Sequence, residues 1–223
     1  MNSIWETFES IWRIRASFGE GILVTLQLFI GTLIFSIPAA LPIALGSNSK
    51  LPPLRWLCKI YVWIFRGTPL MLQLFFFYYF FFPFVLNKPE IPALTIAIIT
   101  FVLNYAAYLA EIYRAGIGSI DKGQYEAASS LGLGKARTMF GIILPQTVKR
   151  VLPPVSNEMI TLVKDTALVS VISLSDLFRV VTKQVSARGN PLLYIAPALF
   201  YLLFTFLLTL LTRFLEKKFS LHE

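Results

Sequence analysis

Residues 21–46 read GILVTLQLFIGTLIFSIPAALPIALG, a stretch without a single charged side chain. A helix needs about 20 mostly apolar residues to cross the hydrocarbon core of a bilayer. Pro38 and Pro42 interrupt the second half, which a membrane-spanning helix tolerates because neighbouring groups can satisfy the freed carbonyls. The stretch therefore predicts a transmembrane helix, and with it the class of fold.

The composition extends this prediction to the whole chain. Of its 223 residues, 56% are hydrophobic and only 14% are charged, whereas about 25% of the residues in an ordinary soluble domain are charged. A soluble globule of this composition would lack the polar surface to cover itself. We therefore predict an all-α integral membrane protein with a single transmembrane domain over residues 21–223.

Four further apolar stretches predict four further spans. The five expected spans cover residues 21–46, 57–86, 91–113, 151–174 and 192–214. The second is interrupted by Arg66-Gly67-Thr68-Pro69, which contains glycine and proline, the two residue types that most often break helices and strands. Residues 1–20 mix charged side chains with Trp5 and Trp12, and we expect them to form an interfacial segment with both tryptophans at headgroup level.

The distribution of basic residues predicts the orientation. Five spans place the two termini on opposite sides of the membrane. The loops on one side, together with the C-terminal end, carry eleven Lys and Arg residues, and the other side carries six. Cytoplasmic loops are enriched in Lys and Arg, so residues 1–20 are expected outside and the C-terminus in the cytosol. The net charge of +8 is explained by this bias, and nucleic-acid binding is not expected because no basic stripe exists.

Several kinds of chemistry are excluded by residue content. Cys58 is the only cysteine and His222 the only histidine. An intrachain disulfide, a cysteine metal site and a His-based triad or zinc cluster therefore cannot form. The chain also lacks the Gly-x-x-x-x-Gly-Lys-Ser/Thr loop that cradles nucleotide phosphates. We expect no catalytic residues, no metal and no cofactor bound by this chain.

The longest predicted inner loop, residues 114–150, carries a spaced pattern of small residues. Glu126-Ala127-Ala128 is followed after three residues by Gly132 and after nine more by the sequence IILP at 142–145. Asp121 suits an N-cap with Gln124 completing a capping box, and Gly132 suits a C-terminal stop. The pattern predicts a short amphipathic helix on the cytosolic side.

This spacing resembles the cytosolic signature of ABC-importer permeases. Three other stretches are similar to permeases for polar amino acids: FRGTPL at 65–70 followed by Gln73, AYLAEIYRAG at 107–116, and KDTALVSVI at 164–172. The resemblance runs from about Gly21 to the C-terminus. On these residues the chain is identified as a member of the polar amino-acid uptake family of ABC-importer permeases.

The resemblance implies a five-helix, type I ABC-importer permease in a bacterial inner or plasma membrane. It implies a cytosolic dimer of ATP-binding subunits that uses ATP-Mg, a second permease copy or paralogue, and an extracytoplasmic solute-binding protein. The loop helix would be the coupling helix that docks on the ATPase, the alternative being a helix resting on the membrane surface. The residues it would present are Glu126, Ala127, Ala128, Gly132 and Leu133.

Polar residues inside the spans are the candidates for a substrate site, because such residues are costly in a bilayer. Asn104 and Tyr108 share one face of the third span, and Lys164-Asp165-Thr166 lies near the middle of the fourth. For a zwitterionic amino acid, Asp165 could take a cationic group and Asn104 could donate and accept hydrogen bonds. Glu158 shares a face with Asp165 because the two are seven residues apart.

Structural roles are the alternatives for several of these residues. Tyr108 suits helix packing, and Lys164 with Asp165 suits a structural ion pair or snorkelling to the outer surface. We expect Glu111 to pair with Arg114 or Arg66, and Arg66 to anchor the helix at the interface.

The alternative function is an ATP-independent transporter or channel, against which the odd span number and the lack of an inverted repeat argue. Arginine, lysine, histidine, glutamine and cystine all remain possible substrates.

Overall fold

The computed structural model describes Trp12 and residues 15–172 and 174–219, and every regular element in those ranges is helical. The α-helices in chain order are α1 (Arg15–Ser47), α2 (Pro52–Gly67), α3 (Leu70–Phe75), α4 (Ala93–Gly118), α5 (Lys122–Ser130), α6 (Lys135–Thr138), α7 (Leu144–Asp165), α8 (Leu177–Arg188) and α9 (Ile195–Phe219). The all-α prediction is confirmed. Most of the predicted interfacial segment 1–20, and His222, lie outside the described residues.

Four helical segments of other types extend or connect these helices. The π-helical segments are Phe76–Val85, which continues α3, and Met139–Ile143, which joins α6 to α7. The 3-10 segments are Thr166–Ile172, which continues α7, and Pro191–Tyr194, which leads into α9. As a result, α3 and α7 each belong to a longer, nearly continuous run of helix.

Among the residues that the structure describes, length and apolarity identify three helices that could cross a membrane: α1, α4 and the run Pro191–Lys218. A fourth span is possible if α2 and Leu70–Val85, which meet at a bend of 105°, form one broken span. These four overlap the predicted spans at 21–46, 57–86, 91–113 and 192–214, whose bounds as membrane spans stay predictions. The predicted span at 151–174 contains much of α7, which carries several charged residues and does not meet the same test. The total of five spans stays a prediction.

Helix α4 is the centre of the described fold, because α1, α2, α3 and α7 all pack against it. Its contact with α1 is lined by small buried residues, including Ala40 and Ala44 of α1 and Ala110 of α4. Small side chains let helix backbones approach closely inside a membrane. The larger core cluster surrounds Phe101 and Tyr105 of α4, so α4 fixes the position of every element that carries the site.

The break between α2 and α3 exposes backbone carbonyls that a continuous helix would satisfy. Thr68 has an extended backbone (φ −119°, ψ 142°), and Pro69 precedes the first residue of α3. The Thr68 hydroxyl donates to the carbonyl of Ile64 at 2.8 Å. Inside a bilayer no water is available for such groups, so each carbonyl needs a donor from the protein.

Two amide side chains supply those donors to the carbonyl of Phe65. The Gln73 side-chain amide donates to this oxygen at 3.0 Å and to the Thr68 hydroxyl at 2.7 Å. The Asn104 amide, from α4, donates to the same carbonyl at 3.0 Å and to the Gln73 side-chain oxygen at 3.0 Å. The break is therefore fixed to the central helix by hydrogen bonds.

The predicted helix in the inner loop is α5, and the ends of α5 are those that the sequence indicates. The Asp121 carboxylate accepts from the Gly123 amide at 2.6 Å, which confirms the N-cap. At the other end Gly132 has φ +72°, and the Leu133 amide donates to the Ala128 carbonyl at 3.0 Å. This is the Schellman arrangement, in which glycine adopts the left-handed conformation at little cost.

The predicted capping-box role of Gln124 is replaced by a contact with α7. The side-chain oxygen of Gln124 accepts from the side-chain amide of Gln146 at 3.3 Å. Gln146 lies in the first turn of α7. This bond ties the loop helix to the helix that reaches into the membrane domain.

Asp176 organises the opposite end of the fold, before α8. Its carboxylate is fully buried and caps α8 by accepting from the backbone amides of Phe178 and Arg179, each at 3.1 Å. Burial raises the pKa of Asp176 to about 6, although these two hydrogen bonds favour the carboxylate. Gly21 of α1 lies so close to Leu177 that an added Cβ would be 2.9 Å from its backbone. Helix α8 therefore packs directly on α1.

Replacing Asn104 with leucine tests the hydrogen bonds at the helix break. We expect N104L to lower the free energy of unfolding by about 1–3 kcal/mol, because the Gln73 side-chain oxygen loses its buried donor. The measurement is thermal unfolding in detergent. T100V is the matched control, since Thr100 is also buried on α4 but bonds only to the Ile96 carbonyl of its own helix. Equal unfolding temperatures for N104L and wild type would contradict this role.

Candidate functional site

A cavity of about 540 Å³ lies where the break between α2 and α3 faces α4 and α7. This first cavity has three walls. Residues 66–70 of the break form one wall, and Asn104, Tyr105 and Tyr108 of α4 form the second. The third wall is α7, which contributes Glu158, Thr161 and Asp165. Its volume falls in the range of about 300–1,000 Å³ that is usual for small-molecule sites.

Two carboxylates on α7 define the chemistry of the first cavity. Glu158 and Asp165 are two helical turns apart, so they share a face, and both are half-buried. The Tyr105 hydroxyl donates to Asp165 at 2.7 Å and orients it. Within residues 15–172 and 174–219, no Lys or Arg lies within salt-bridge distance of either carboxylate. Both can therefore accept hydrogen bonds from a cationic group that enters the cavity.

Arg66 provides a cation in the same cavity. Its guanidinium carbon lies 5.3 Å from the centre of the Tyr108 ring, within the range of a cation–π interaction. Arg66 also interacts electrostatically with Glu158. A guanidinium can bind a carboxylate through two parallel hydrogen bonds. The first cavity thus combines a carboxylate-binding cation with two cation-binding carboxylates.

A second cavity, of about 660 Å³, adjoins the first. Its lining includes Lys59 of α2 and Glu111 and Arg114 of α4, and it shares Arg66 and Tyr108 with the first cavity. Arg114 donates from its Nε to Glu111 at 2.8 Å and forms a salt bridge with it. The sequence-based expectation that Glu111 pairs with Arg114 is confirmed.

The structure brings together three of the five residues expected to line a substrate site. Asn104, Tyr108 and Asp165 all line the first cavity, but both amide hydrogens of Asn104 are engaged at the helix break. Lys164 is exposed and lies outside the lining. Thr166 is fully buried, and its hydroxyl donates to the Val163 carbonyl at 2.7 Å. These two residues therefore stand apart from the cavity.

Sequence reasoning missed the roles of Gln73 and Tyr105, and it treated Arg66 as an interfacial anchor. Gln73 had a usable signal, because a proline break inside an apolar span leaves carbonyls that require donors and Gln73 follows Pro69 by four residues. Tyr105 is one of nine tyrosines, and nothing in the local sequence distinguishes it. Arg66 contacts the Tyr108 ring only because the chain turns at the break.

The surface around α5 exposes apolar side chains outside the predicted spans. Leu131 is 76% exposed and Phe140 is 68% exposed. Glu126, Ala127 and Gly132 are exposed and Leu133 is half-buried, whereas Ala128 is only 1% exposed and packs within this chain. Large exposed apolar side chains in a polar loop can contribute to a protein–protein contact. Leu131 and Phe140 are two such side chains that the sequence analysis did not single out.

Comparison with curated proteins gives relatives along almost the whole chain. The L-cystine transport system permease protein TcyB of Bacillus subtilis (strain 168) is 40% identical over 213 residues, which cover 94% of this chain and 88% of that protein. The arginine transport system permease protein ArtQ of the same organism is 37% identical, with 92% and 93% covered.

Solved structures also resemble this one, and two of them show the range of similarity. The first, described as the crystal structure of an amino acid ABC transporter with histidines, has a TM-score of 0.87 at 34% identity, covering 98% of this chain and 100% of that chain. The second, an inward-facing conformation of the MetNI methionine ABC transporter, has a TM-score of 0.74 at 16% identity, covering 95% and 98%, and is similar in fold alone. The predicted type I importer fold is confirmed.

A family model agrees with these relatives. The family described as "Binding-protein-dependent transport system inner membrane component" matches residues 22–221. The match covers the helix break, both cavities and the α5 loop. This chain therefore belongs to the family of inner-membrane components of binding-protein-dependent transport systems.

Proposed function

We propose that this chain is the transmembrane permease subunit of an ATP-driven importer for polar amino acids. One observation carries the proposal: Arg66 and the two carboxylates Glu158 and Asp165 line a single cavity in the membrane domain. That arrangement complements a zwitterion. It is supported by the relatives, which are named for transport of L-cystine and arginine, and by the structural neighbour described with histidines.

In this proposal the substrate binds the first cavity through both of its charged ends. Arg66 takes the α-carboxylate, and Glu158 and Asp165 take the α-ammonium group and any cationic side chain. Tyr105 holds Asp165 in place by its hydrogen bond. With two carboxylates against one guanidinium, the cavity favours a substrate that carries an additional positive charge. Asn104 acts indirectly by fixing the break that presents Arg66.

The energy for transport comes from partner subunits. This chain is not an enzyme, and ATP-Mg is bound and hydrolysed by a separate cytosolic ATP-binding subunit dimer. The α5 helix, with Glu126, Ala127 and Gly132, docks on that dimer together with the exposed Leu131. Ala128 supports the docking surface from inside. An extracytoplasmic solute-binding protein delivers the amino acid, and a second permease copy or paralogue completes the transporter.

The ATP-independent alternative has no support among the relatives, because the family is binding-protein-dependent and the solved structure that is 34% identical is described as an amino acid ABC transporter. The chain lies in a bacterial inner or plasma membrane as a multi-pass protein. Residues 1–20 lie outside and the C-terminus lies in the cytosol, as the excess of basic residues on one side favours.

Replacing Asp165 with asparagine tests substrate recognition. We expect D165N to lower uptake of a cationic amino acid at least about tenfold, a loss of about 1.4 kcal/mol, and uptake of a neutral one much less. Uptake is measured in proteoliposomes that contain the full transporter and internal ATP. K164Q is the control, since Lys164 is adjacent but lies outside the cavity lining. Equal losses for the two substrates would remove Asp165 from side-chain recognition.

Changing Leu131 to glutamate tests the docking surface. Because Leu131 is 76% exposed, L131E should leave the fold intact while placing a charge in the apolar contact. We expect the variant to reach the membrane but to lose co-purification with the ATP-binding subunits and to lose uptake, and E126K to weaken both. K50E, on a different predicted inner loop, serves as the control. Normal assembly of L131E and E126K would refute docking through α5.

Tags at residues 2 and 223 test the orientation. We expect the first tag to be accessible from outside intact cells and the second only after the membrane is opened, because five spans place the termini on opposite sides. Accessibility to a membrane-impermeant label is the measurement. If both tags were labelled from the same side, the number of spans would be even and the assignment of 151–174 as a span would be wrong.

A further inference from the structure

The two cavities have part of their lining in common. Arg66, Gly67 and Tyr108 line both of them. Of these three residues Arg66 and Tyr108 have side chains, and the guanidinium carbon of Arg66 lies 5.3 Å from the centre of the Tyr108 ring. This side-chain pair is called the partition, because movement of Arg66 would change the boundary of both cavities.

Arg66 is held loosely in this position. Within the described residues it forms no salt bridge, and a cation–π contact at an exposed site contributes only about 0.5–1 kcal/mol. It interacts electrostatically with Glu158 of the first cavity and with Glu111 of the second. Arg114, by contrast, is held at Glu111 by two hydrogen bonds. Arg66 thus has an acidic residue in each cavity, Glu158 in the first and Glu111 in the second, and only a weak contact with the Tyr108 ring.

The two cavities differ in the sign of their charge. The first contains two carboxylates against the one guanidinium of Arg66. The second contains the cations Lys59, Arg66 and Arg114 against the single carboxylate of Glu111. By its excess of positive charge the second cavity favours a carboxylate, whereas the first, with Arg66 as its one cation, favours an ammonium group by its excess of negative charge. A zwitterion moving from the first cavity to the second would travel with its carboxylate end leading.

The second cavity lies toward the α5 loop. Glu111 follows Asn104 by seven residues along α4, a rise of roughly 10 Å, and Arg114 is a further turn on. The lining also includes Ser47 and Asn48, at the end of α1 that is predicted to face the cytosol. Transfer from the first cavity to the second is therefore movement in the direction of import.

We propose that the second cavity is a transient site for the carboxylate group of the transported amino acid, and that Arg66 carries this carboxylate across the partition as it leaves the Tyr108 ring. Lys59 receives the carboxylate on the far side. The inference rests on the proposed function, because it needs an amino acid bound in the first cavity. It adds a second binding site on the transport pathway, and Arg66 contributes to both sites.

The test separates binding in the first cavity from passage through the second. Lys59 lines the second cavity but not the first, and it is exposed, so K59Q should fold normally. In proteoliposomes with internal ATP, we expect K59Q to lower the maximal uptake rate at least about fivefold while equilibrium binding of the radiolabelled amino acid to the purified transporter is unchanged. R55Q, one turn earlier on α2 and outside the second cavity, is the control and should transport at the wild-type rate.

Two substitutions of Tyr108 test the partition itself. Y108F keeps the ring under the guanidinium, whereas Y108L removes it, so Y108L should lower the maximal rate much further than Y108F. An unchanged rate in K59Q, a matching loss in R55Q, or equal rates in Y108F and Y108L would overturn the inference. A wild-type transporter that moves no amino acid would instead overturn the proposed function.

Discussion

The arrangement of this membrane domain depends on hydrogen bonds to one backbone carbonyl, that of Phe65. The chain turns sharply between α2 and α3, and a turn at membrane depth is stable only if its freed carbonyls find donors. Gln73 and Asn104 both donate to the Phe65 oxygen. Because Asn104 lies on the central helix, the same bonds that satisfy the turn also position Arg66 against α4. Apolar packing alone could not fix Arg66 against α4 in this way, because lipid solvates apolar side chains as well as protein does.

Much of the fold follows from patterns that act locally. The uncharged run at 21–46 indicates α1, and Asp121 and Gly132 mark the ends of α5 because capping depends on neighbouring backbone groups. Asp165 was expected in a substrate site and lies in the first cavity, and Glu111 pairs with Arg114 three residues away.

Features that depend on distant parts of the chain were not predictable in the same way. Asn104 suggested a ligand, yet its partners are 31 and 39 residues away in sequence. Arg66 was expected to be an anchor because the direction of the chain after Gly67 cannot be read from the sequence. Lys164 and Thr166 flank Asp165, but neighbours on a helix point in different directions, so only Asp165 reaches the cavity. Ala128 is small because it packs inward, a distinction that residue size alone does not reveal.

Helix α7 also joins the inner loop to the first cavity. It connects to α5 through Gln146 in its first turn and carries Asp165 at its last residue. These residues are separated by roughly 28 Å at 1.5 Å per residue, so a tilt of about 5° would shift the far end by roughly 2–3 Å, close to the width of a hydrogen bond. Pro153 and Pro154 lie near the middle of α7. Proline has no backbone N–H, so the missing hydrogen bonds lower the bending stiffness of the helix there. The bending stiffness of α7 at these prolines therefore determines how much of a displacement of Gln146 reaches Asp165.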